Sequence, residues 1–389
     1  MTTSRVLISG AGVAGPALAL GLRRRGIDVT IVERAPSLRA GGYKVDVRGA
    51  GTEVLKRLGI YEACRALDCG MEQITYVNKV GKQIAALPAS LLMGRKGDDI
   101  ELMRGDIGHI LYDATKNDVE YVFGDSITSL TDGPDGVDVA FERGAPRRFD
   151  YVVGADGLHS TTRRLAFGEV EPTHLGAYIS IFEVPNHLKI DREEFMYSRP
   201  GRLAFAYAMG ADQPAKVGLT FASPPLGHDR RDVTAQKALV KEAFAGLGWE
   251  TDKFLESIDK ADDFYFDSLS QIELDAWSKG RVVLLGDAAH CPSPASGQGT
   301  SLALVGAYVL AETLGKPDGL EEYEQTMRPY VEKNMAFGRK MAKDMVPGGR
   351  LSIAFRNYGM RTLKFHPRKE QVIDKVLAPM HEAANAIAL

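Results

Sequence analysis

The chain has 389 residues, 44% hydrophobic and 25% charged, which asks for one large domain plus a smaller one and leaves no room for a long disordered tail. Its net charge of −3 and pI near 6.3 exclude a chain-wide attraction to nucleic acid or anionic lipid. Small molecules are therefore the expected partners, with no nucleic acid and no membrane.

Residues 5–9 form an apolar run read as a buried strand, followed by a glycine turn and a helix over 16–25 that ends at Gly26. Arg23, Arg24 and Arg25 fall in its last turn, where cations face the negative end of the helix dipole, and residues 28–33 resume as a strand, completing a βαβ unit. The apolar stretch 6–22 is too short, and too broken by Gly10, Gly12, Gly15 and Pro16, for a targeting or membrane segment. After Gly41-Gly42, the residues Lys44, Asp46 and Arg48 alternate with Val45 and Val47, so the polar three share one face, expected to lie outside the core. Residues 52–67 and 107–116 read as crossover helices, with Arg104 and Asp106 at the entrance of the second. Short strands are expected at 119–123, 126–130, 137–142 and 149–153, two of them joined through Asp132-Gly133-Pro134-Asp135-Gly136 as a hairpin. A second strand-rich stretch holds strands at 179–184, 203–209 and 216–221, then a helix at 233–246, and reads as a separate substrate domain. Residues 281–285 return to a buried strand, and helices follow at 300–314 and 320–341. Beyond Pro347-Gly348-Gly349 the tail is helical to residue 388, expected to pack across both domains.

Gly10-Ala11-Gly12-Val13-Ala14-Gly15 is G-x-G-x-x-G between a strand and a helix, the setting of a dinucleotide fingerprint. Missing Cβ atoms permit the tight turn and let pyrophosphate oxygens approach backbone N–H groups at the positive end of the helix. Gly10, Gly12, Val13, Ala14 and Gly15 are thus candidate cofactor contacts. Glu33, with Arg34 beside it, closes the second strand 21 residues after Gly12. A carboxylate there accepts ribose hydroxyls and repels a 2′-phosphate, so the bound nucleotide is FAD or NAD and not NADP. The fingerprint alone does not separate FAD from NAD.

Two later segments do. In Val153-Gly154-Ala155-Asp156-Gly157-Leu158-His159-Ser160-Thr161-Thr162-Arg163, Asp156 ends a buried strand, Gly157 permits a sharp exit, and Ser160 and Arg163 sit on one side of the following turn. In Gly286-Asp287-Ala288-Ala289-His290, followed by Pro294 and Gly297-Gln298-Gly299, Asp287 emerges at the C-terminal end of a buried strand. Gly297, Gly299 and Thr300 stand at the start of a long helix, where N–H groups and the dipole stabilise negative charge. With the N-terminal fingerprint, these segments resemble the group A flavin monooxygenases, the family of para-hydroxybenzoate hydroxylase. The resemblance assigns Asp156 to the motif serving FAD and the nicotinamide cofactor, Asp287 to a ribityl hydroxyl, Pro294 to the isoalloxazine face and Arg104 to FAD. Gly41-Gly42, the segment 45–49 with Asp46 as an FAD contact, Cys291-Pro292-Ser293-Pro294 and the segment 262–267 are similar to the tetracycline-inactivating members. The likeness is weakest from 188 to 246, where substrate contacts are expected.

The resemblance implies an α/β fold: a Rossmann-like FAD-binding domain of the para-hydroxybenzoate hydroxylase type with an inserted β-rich substrate domain and a C-terminal helix. The expected partition is 1–75, 101–172 and 276–345 for FAD, 76–100 and 173–275 for substrate, and 346–389 as a helical segment bridging the two, supplied after Lys364. It further implies tightly bound FAD, transient NAD(P)H with NADPH expected although NADH stays open, and O2 adding at flavin C4a. The resulting hydroperoxide would hydroxylate a polycyclic phenol or enol such as a tetracycline. The cofactor performs the hard chemistry, so no general base or other catalytic residue is named. His290, lacking any paired-histidine motif, reads as a structural residue, and Cys291 as a buried small apolar one. Three cysteines without C-x-x-C spacing speak against a disulfide framework and a metal site and for a cytoplasmic setting. The oligomeric state is open, a monomer being compatible with the sequence. Rival readings are a flavin-free NAD dehydrogenase, a flavoprotein that only sequesters an aromatic ligand, and a biosynthetic aromatic polyketide hydroxylase.

Overall fold

Val6, Leu7 and Ile8 are fully buried, as an apolar run without alternation requires of a strand covered on both faces. In the computed structural model, which describes residues 4–38, 41–363 and 365–389, they lie inside a six-stranded sheet. Its order is Ser278–Lys279, Val282–Leu284, Tyr151–Gly154, Arg5–Ser9, Asp28–Glu33, Glu120–Phe123, parallel throughout except for the first pair. Helices Ala14–Arg24 and Gly299–Thr313 pack closely at Gly21, where a Cβ would lie 2.6 Å from that of Ala311. The arginines ending the first helix satisfy C-terminal carbonyls of its neighbours: Arg24 donates to Arg57 O and Leu58 O at 2.8 and 2.6 Å, and Arg25 to Leu314 O at 3.3 Å.

Two expected elements are each split. The helix expected over 52–67 is Ala50–Arg57 followed by Tyr61–Arg65, because Gly59 takes φ +68° and ends the first. The strand expected over 149–153 is Arg147–Phe149, which pairs with Gly136–Phe141, and Tyr151–Gly154, which joins the main sheet. Asp150 turns the chain between them and accepts the Arg5 N–H at 2.6 Å.

A seven-stranded sheet forms the second layer, ordered Tyr265–Gln271, Thr173–Val184, Ala215–Ala222, Arg202–Ala208, Glu193–Arg199, Gln73–Val77, Gln83–Pro88. The expected domain cut after residue 75 falls inside Gln73–Val77, which pairs in parallel with Glu193–Arg199. Gln73 Nε2 and Thr75 Oγ1 both donate to the Glu193 carboxylate, which draws residues 73–75 into this sheet. One face, with Ala204, Ala206, Val217 and Leu219, packs on Val240, Phe244 and Phe254 from the helices Val233–Phe244 and Thr251–Ser257. The other face, bearing Glu194, Met196, Phe205 and Tyr207, turns toward the first layer, where Met103 packs on Tyr207.

The long helix Gly319–Met345 joins the layers, and the tail covers both. Helix Arg350–Leu363 lies on Gln83–Pro88 and Glu193–Arg199, while Lys369–Ala384 packs on Gly319–Met345 and Ala89–Leu92. The latter ends at Gly49, where a Cβ would lie 2.6 Å from Ala384 O. Lys364, after which a bridging helix is expected, is outside the described residues. Among the described residues no helix is long and apolar enough to cross a membrane.

Candidate functional site

The glycine turn is built from backbone contacts that a side chain would prevent. Gly10 has φ +110°, and a Cβ on it would lie 2.5 Å from Ala155 O; one on Gly15 would lie 2.0 Å from Gly10 O. Gly12 differs, since a Cβ there would meet nothing within 4 Å. The turn leads into a helix N-terminus with no side-chain cap and no acidic residue in its first turn, leaving its N–H groups and positive dipole end for an anion. Glu33 is anchored beside it: one carboxylate oxygen accepts the Ala11 N–H at 2.9 Å and the other the Ala35 N–H at 2.8 Å. Arg34 is exposed.

Asp156 spends its carboxylate on its own loop. It accepts from Ser160 Oγ, from Thr162 N–H at 2.9 Å and from Thr162 Oγ1 at 3.0 Å, while Ser160 caps the helix Thr161–Phe167. Buried Arg163 then ties this loop to the third motif, donating to Leu158 O at 2.7 Å and to Ala288 O at 2.9 Å. Gly286, at φ +62°, lets the third motif abut the first, since a Cβ on it would lie 3.3 Å from that of Ala14. Three segments far apart in sequence thus meet at one junction.

From that junction the site runs toward the helix Gly299–Thr313. Its N-terminus again lacks a side-chain cap and an acidic first-turn residue. Gly297 is exposed, Pro294, Gly299 and Thr300 are half-buried, and Ser293 takes the strained φ of +78° that presents Pro294. Gly297 takes φ +63°, and the two glycines lie beside the acidic side chains, a Cβ on Gly299 coming to an ordinary contact of 3.8 Å from Asp287 Oδ1 and one on Gly297 to 3.9 Å from Asp46 Oδ2. Between them Gln298 is fully buried, with both amide atoms unpartnered. Burial pushes the Asp287 carboxyl up, opposed by the charge of Arg104. No hydrogen bond or ion pair engages the Arg104 guanidinium among the described residues; its electrostatic neighbours are Tyr43, Tyr265, Asp287 and Glu33. The Tyr43 and Tyr265 rings lie 5.3 Å apart, and burial raises both phenols. Burial also raises the Cys291 thiol well above its ordinary range, so Cys291 is protonated, and it lowers His290 to about 4, so that imidazole is neutral against Trp277, 4.7 Å away.

The polar face of the strand Lys44–Val47 departs from expectation, since it is buried. Side-chain exposure is 12% for Lys44, 11% for Asp46 and 3% for Arg48. Lys44 Nζ lies 2.6 Å from Glu194 and 3.1 Å from Glu101; Arg95 lies 3.0 Å from Glu101, and Arg48 2.8 Å from Asp46. Three cations thus neutralise three carboxylates between the layers, which is what permits the burial. Burial works against the Lys44 charge, but Glu194 and Glu101 outweigh it, and its pKa is raised. The network ends on Asp46, beside Gly297. Glu194 and Tyr43 lie in no motif; Gln298 lies inside the third motif and Tyr265 inside the segment 262–267, but neither stands out there as a site residue, and only the alternation around Asp46 hinted at the interlayer network.

Gly12, an uncapped helix end on either side, a guanidinium with no hydrogen-bond partner among the described residues and the buried Gln298 amide form an elongated site suited to FAD: anion at one end, polar ring system at the other. Residues 3–343 match the FAD binding domain family. The chain is 42% identical over 353 residues to an uncharacterized protein of Mycobacterium tuberculosis, covering 88% of this chain and 94% of that one. It is 37% identical over 341 residues to a flavin-dependent monooxygenase of Legionella longbeachae, covering 86% and 87%. Among solved structures it is similar to tetracycline destructase Tet(55), with 35% identity and TM-score 0.86 over 100% of this chain and 98% of that one. HpxO of Klebsiella pneumoniae, solved with FAD and uric acid, shares the fold at 21% identity and TM-score 0.73, covering 97% and 96%. The chain therefore belongs to the FAD binding domain family and is an FAD-dependent monooxygenase.

Proposed function

We propose that the enzyme takes electrons from NAD(P)H, with NADPH the expected donor, and inserts one atom of O2 into a polycyclic phenol or enol, a tetracycline being the first substrate to try. One observation carries this reading: the likeness to a tetracycline destructase, at 35% identity, runs through the second sheet and the C-terminal helices as well as the cofactor motifs. On this reading the six-stranded layer serves the cofactor and the seven-stranded sheet the substrate.

FAD, when bound, supplies the two-electron redox chemistry and the activation of oxygen. The chain's part is to hold and orient. Gly10, Gly12, Val13, Ala14 and Gly15 would hold the pyrophosphate, Glu33 with Arg34 the ribose end, and Asp156 through its loop the junction between them. Asp287, Arg104, Asp46, Pro294, Gly297, Gly299 and Thr300 would hold the ribityl and ring portions, the helix dipole favouring negative charge there. Phe205, half-buried on this face and stacked at 13° on the buried Tyr207 with centroids 6.5 Å apart, offers a flat polycyclic molecule an aromatic surface. Lys216 and Glu194 on the same face are already paired, with Asp263 and Lys44 respectively, so stacking and shape rather than a free charge select the substrate. Packing of the two layers on either side of the site would keep water from it, the remaining requirement for coupling oxygen to substrate.

The test is NADPH and NADH oxidation by the FAD-loaded protein with and without tetracycline, following product mass and H2O2 together. Stimulated oxidation and a product heavier by one oxygen are expected. Oxidation that yields H2O2 alone with tetracycline rejects this substrate and leaves other phenols to be screened.

A further inference from the structure

Residues 350–369 hold six of the 48 lysines and arginines and none of the 51 aspartates and glutamates. The rest of the chain has 42 basic against 51 acidic residues, so the net −3 conceals a segment of +6 on a body of −9. Whole-chain charge, which argues against lipid, averages this asymmetry away.

Most of the segment is the helix Arg350–Leu363, whose two sides differ. Ile353, Arg356, Asn357 and Met360 are half-buried at the spacing of one helical face. That face lies on Gln83–Pro88 and Glu193–Arg199, with the Arg356 guanidinium 5.5 Å from the centre of the Tyr76 ring. On the opposite side Leu351, Phe355 and Tyr358, at i, i+4 and i+7, are 87%, 80% and 67% exposed. Arg350 and Arg361 flank this ridge, and Arg368 and Lys369 follow in the next turn; none of the four forms an ion pair among the described residues.

A helix docked by one face on a sheet needs no large apolar residues on its other face. Three in a row, bordered by cations without carboxylate partners, match a surface that is apolar below and anionic above. We propose that Arg350–Leu363 docks the enzyme peripherally on an anionic membrane, its Leu351-Phe355-Tyr358 ridge entering the acyl boundary and its arginines meeting headgroup phosphates. A second copy of the chain is the poorer occupant, because a two-fold contact through this ridge sets one cationic segment against another. The acidic body is repelled by the same leaflet, which leaves this edge of the molecule as the one that docks.

The experiment floats the full-length, FAD-loaded protein through a density gradient with vesicles of phosphatidylcholine alone or of phosphatidylcholine with phosphatidylglycerol. Flotation with the anionic vesicles only, weakened by salt, is expected. The variants L351S/F355S/Y358S and R361E/R368E should each lower the bound fraction about tenfold while flavin absorbance and unfolding midpoint stay unchanged. If the apolar triple variant loses flavin, the exposed charge pair decides. The proposal is overturned by failure to float with anionic vesicles, by flotation of R361E/R368E equal to wild type, or by equal retention on polyglutamate, which marks a charge-only site. It is equally overturned by a dimer in sedimentation that the triple variant dissolves, without vesicle binding.

Discussion

Two glycines of the first turn should fail in opposite ways when replaced by alanine. Gly12 has space on every side within the protein and does not need positive φ, so Gly12→Ala costs the apo-protein nothing. By restricting the unfolded chain it even adds about 0.4–1 kcal/mol of stability. The new methyl stands where the pyrophosphate would approach, and losing one or two charge-assisted N–H contacts, at about 1.5–3 kcal/mol each, weakens FAD binding roughly 10- to 100-fold or more. Gly15→Ala puts a Cβ 2.0 Å from the Gly10 carbonyl oxygen, a clash with rigid backbone that costs the fold itself at least about 1–3 kcal/mol. Urea unfolding of both apo-proteins and quenching of FAD fluorescence on titration separate the two effects. Added FAD should raise the Tm of wild type and leave that of Gly12→Ala nearly unchanged. Wild-type FAD affinity in Gly12→Ala, or a stability loss in it matching that of Gly15→Ala, refutes the reasoning.

Burial holds His290 neutral with a folded pKa of about 4, against about 6.5 unfolded. Its contribution is complete above pH 6.5 and is lost as pH falls toward 4, because the unfolded chain binds the proton first; between pH 7 and 5 this removes about 2 kcal/mol. Urea midpoints across that range should show a slope that His290→Phe flattens. Lys44→Met strands Glu194 and Glu101 in the interlayer network, so it should cost about 3–5 kcal/mol. A double-mutant cycle with Glu194→Gln should return a coupling above roughly 1 kcal/mol, and additive losses would remove the pair from the account. Gly218 lets the Phe205 ring lie on the sheet, since a Cβ there would be 1.9 Å from Phe205 Cζ. Gly218→Ala should therefore raise the KM for the aromatic substrate about tenfold with flavin content intact, and an unchanged KM excludes Phe205 as the aromatic surface.

What could be read in advance was local in its physics. Gly15 answers to a steric contact within its own turn, Gly10 and Gly286 to positive φ, and Asp287 to the end of one buried strand, so their residue types betray their geometry, while the remote contacts of Gly10 with Ala155 and of Gly286 with Ala14 do not show in the sequence. Lys44, Asp46 and Arg48 show the limit. Their alternation gives a shared face correctly, but whether that face is buried depends on Glu101 and Glu194, carboxylates on strands remote in the chain. Gln73–Val77 was missed for the same reason: it is short, and its place is set by pairing in parallel with Glu193–Arg199, a strand remote in the chain. The asymmetry of residues 350–369 was lost in the opposite way, by averaging a local charge over the whole chain.

The junction where Gly10 abuts Ala155, and Arg163 grips Ala288, sets a timetable for biosynthesis. The strand Arg5–Ser9 is made first, yet its neighbour Tyr151–Gly154 and that strand's own neighbour Val282–Leu284 emerge far later. At about 5–20 residues per second, a ribosome needs roughly 15–60 s to travel from Arg5 to Ala288. Throughout that interval the nascent N-terminal βαβ unit lacks the backbone that closes its glycine turn. The junction that would hold FAD is therefore assembled late, once residues 5–9, 151–154 and 282–288 have all left the exit tunnel, and until then the half-made sheet has an open edge.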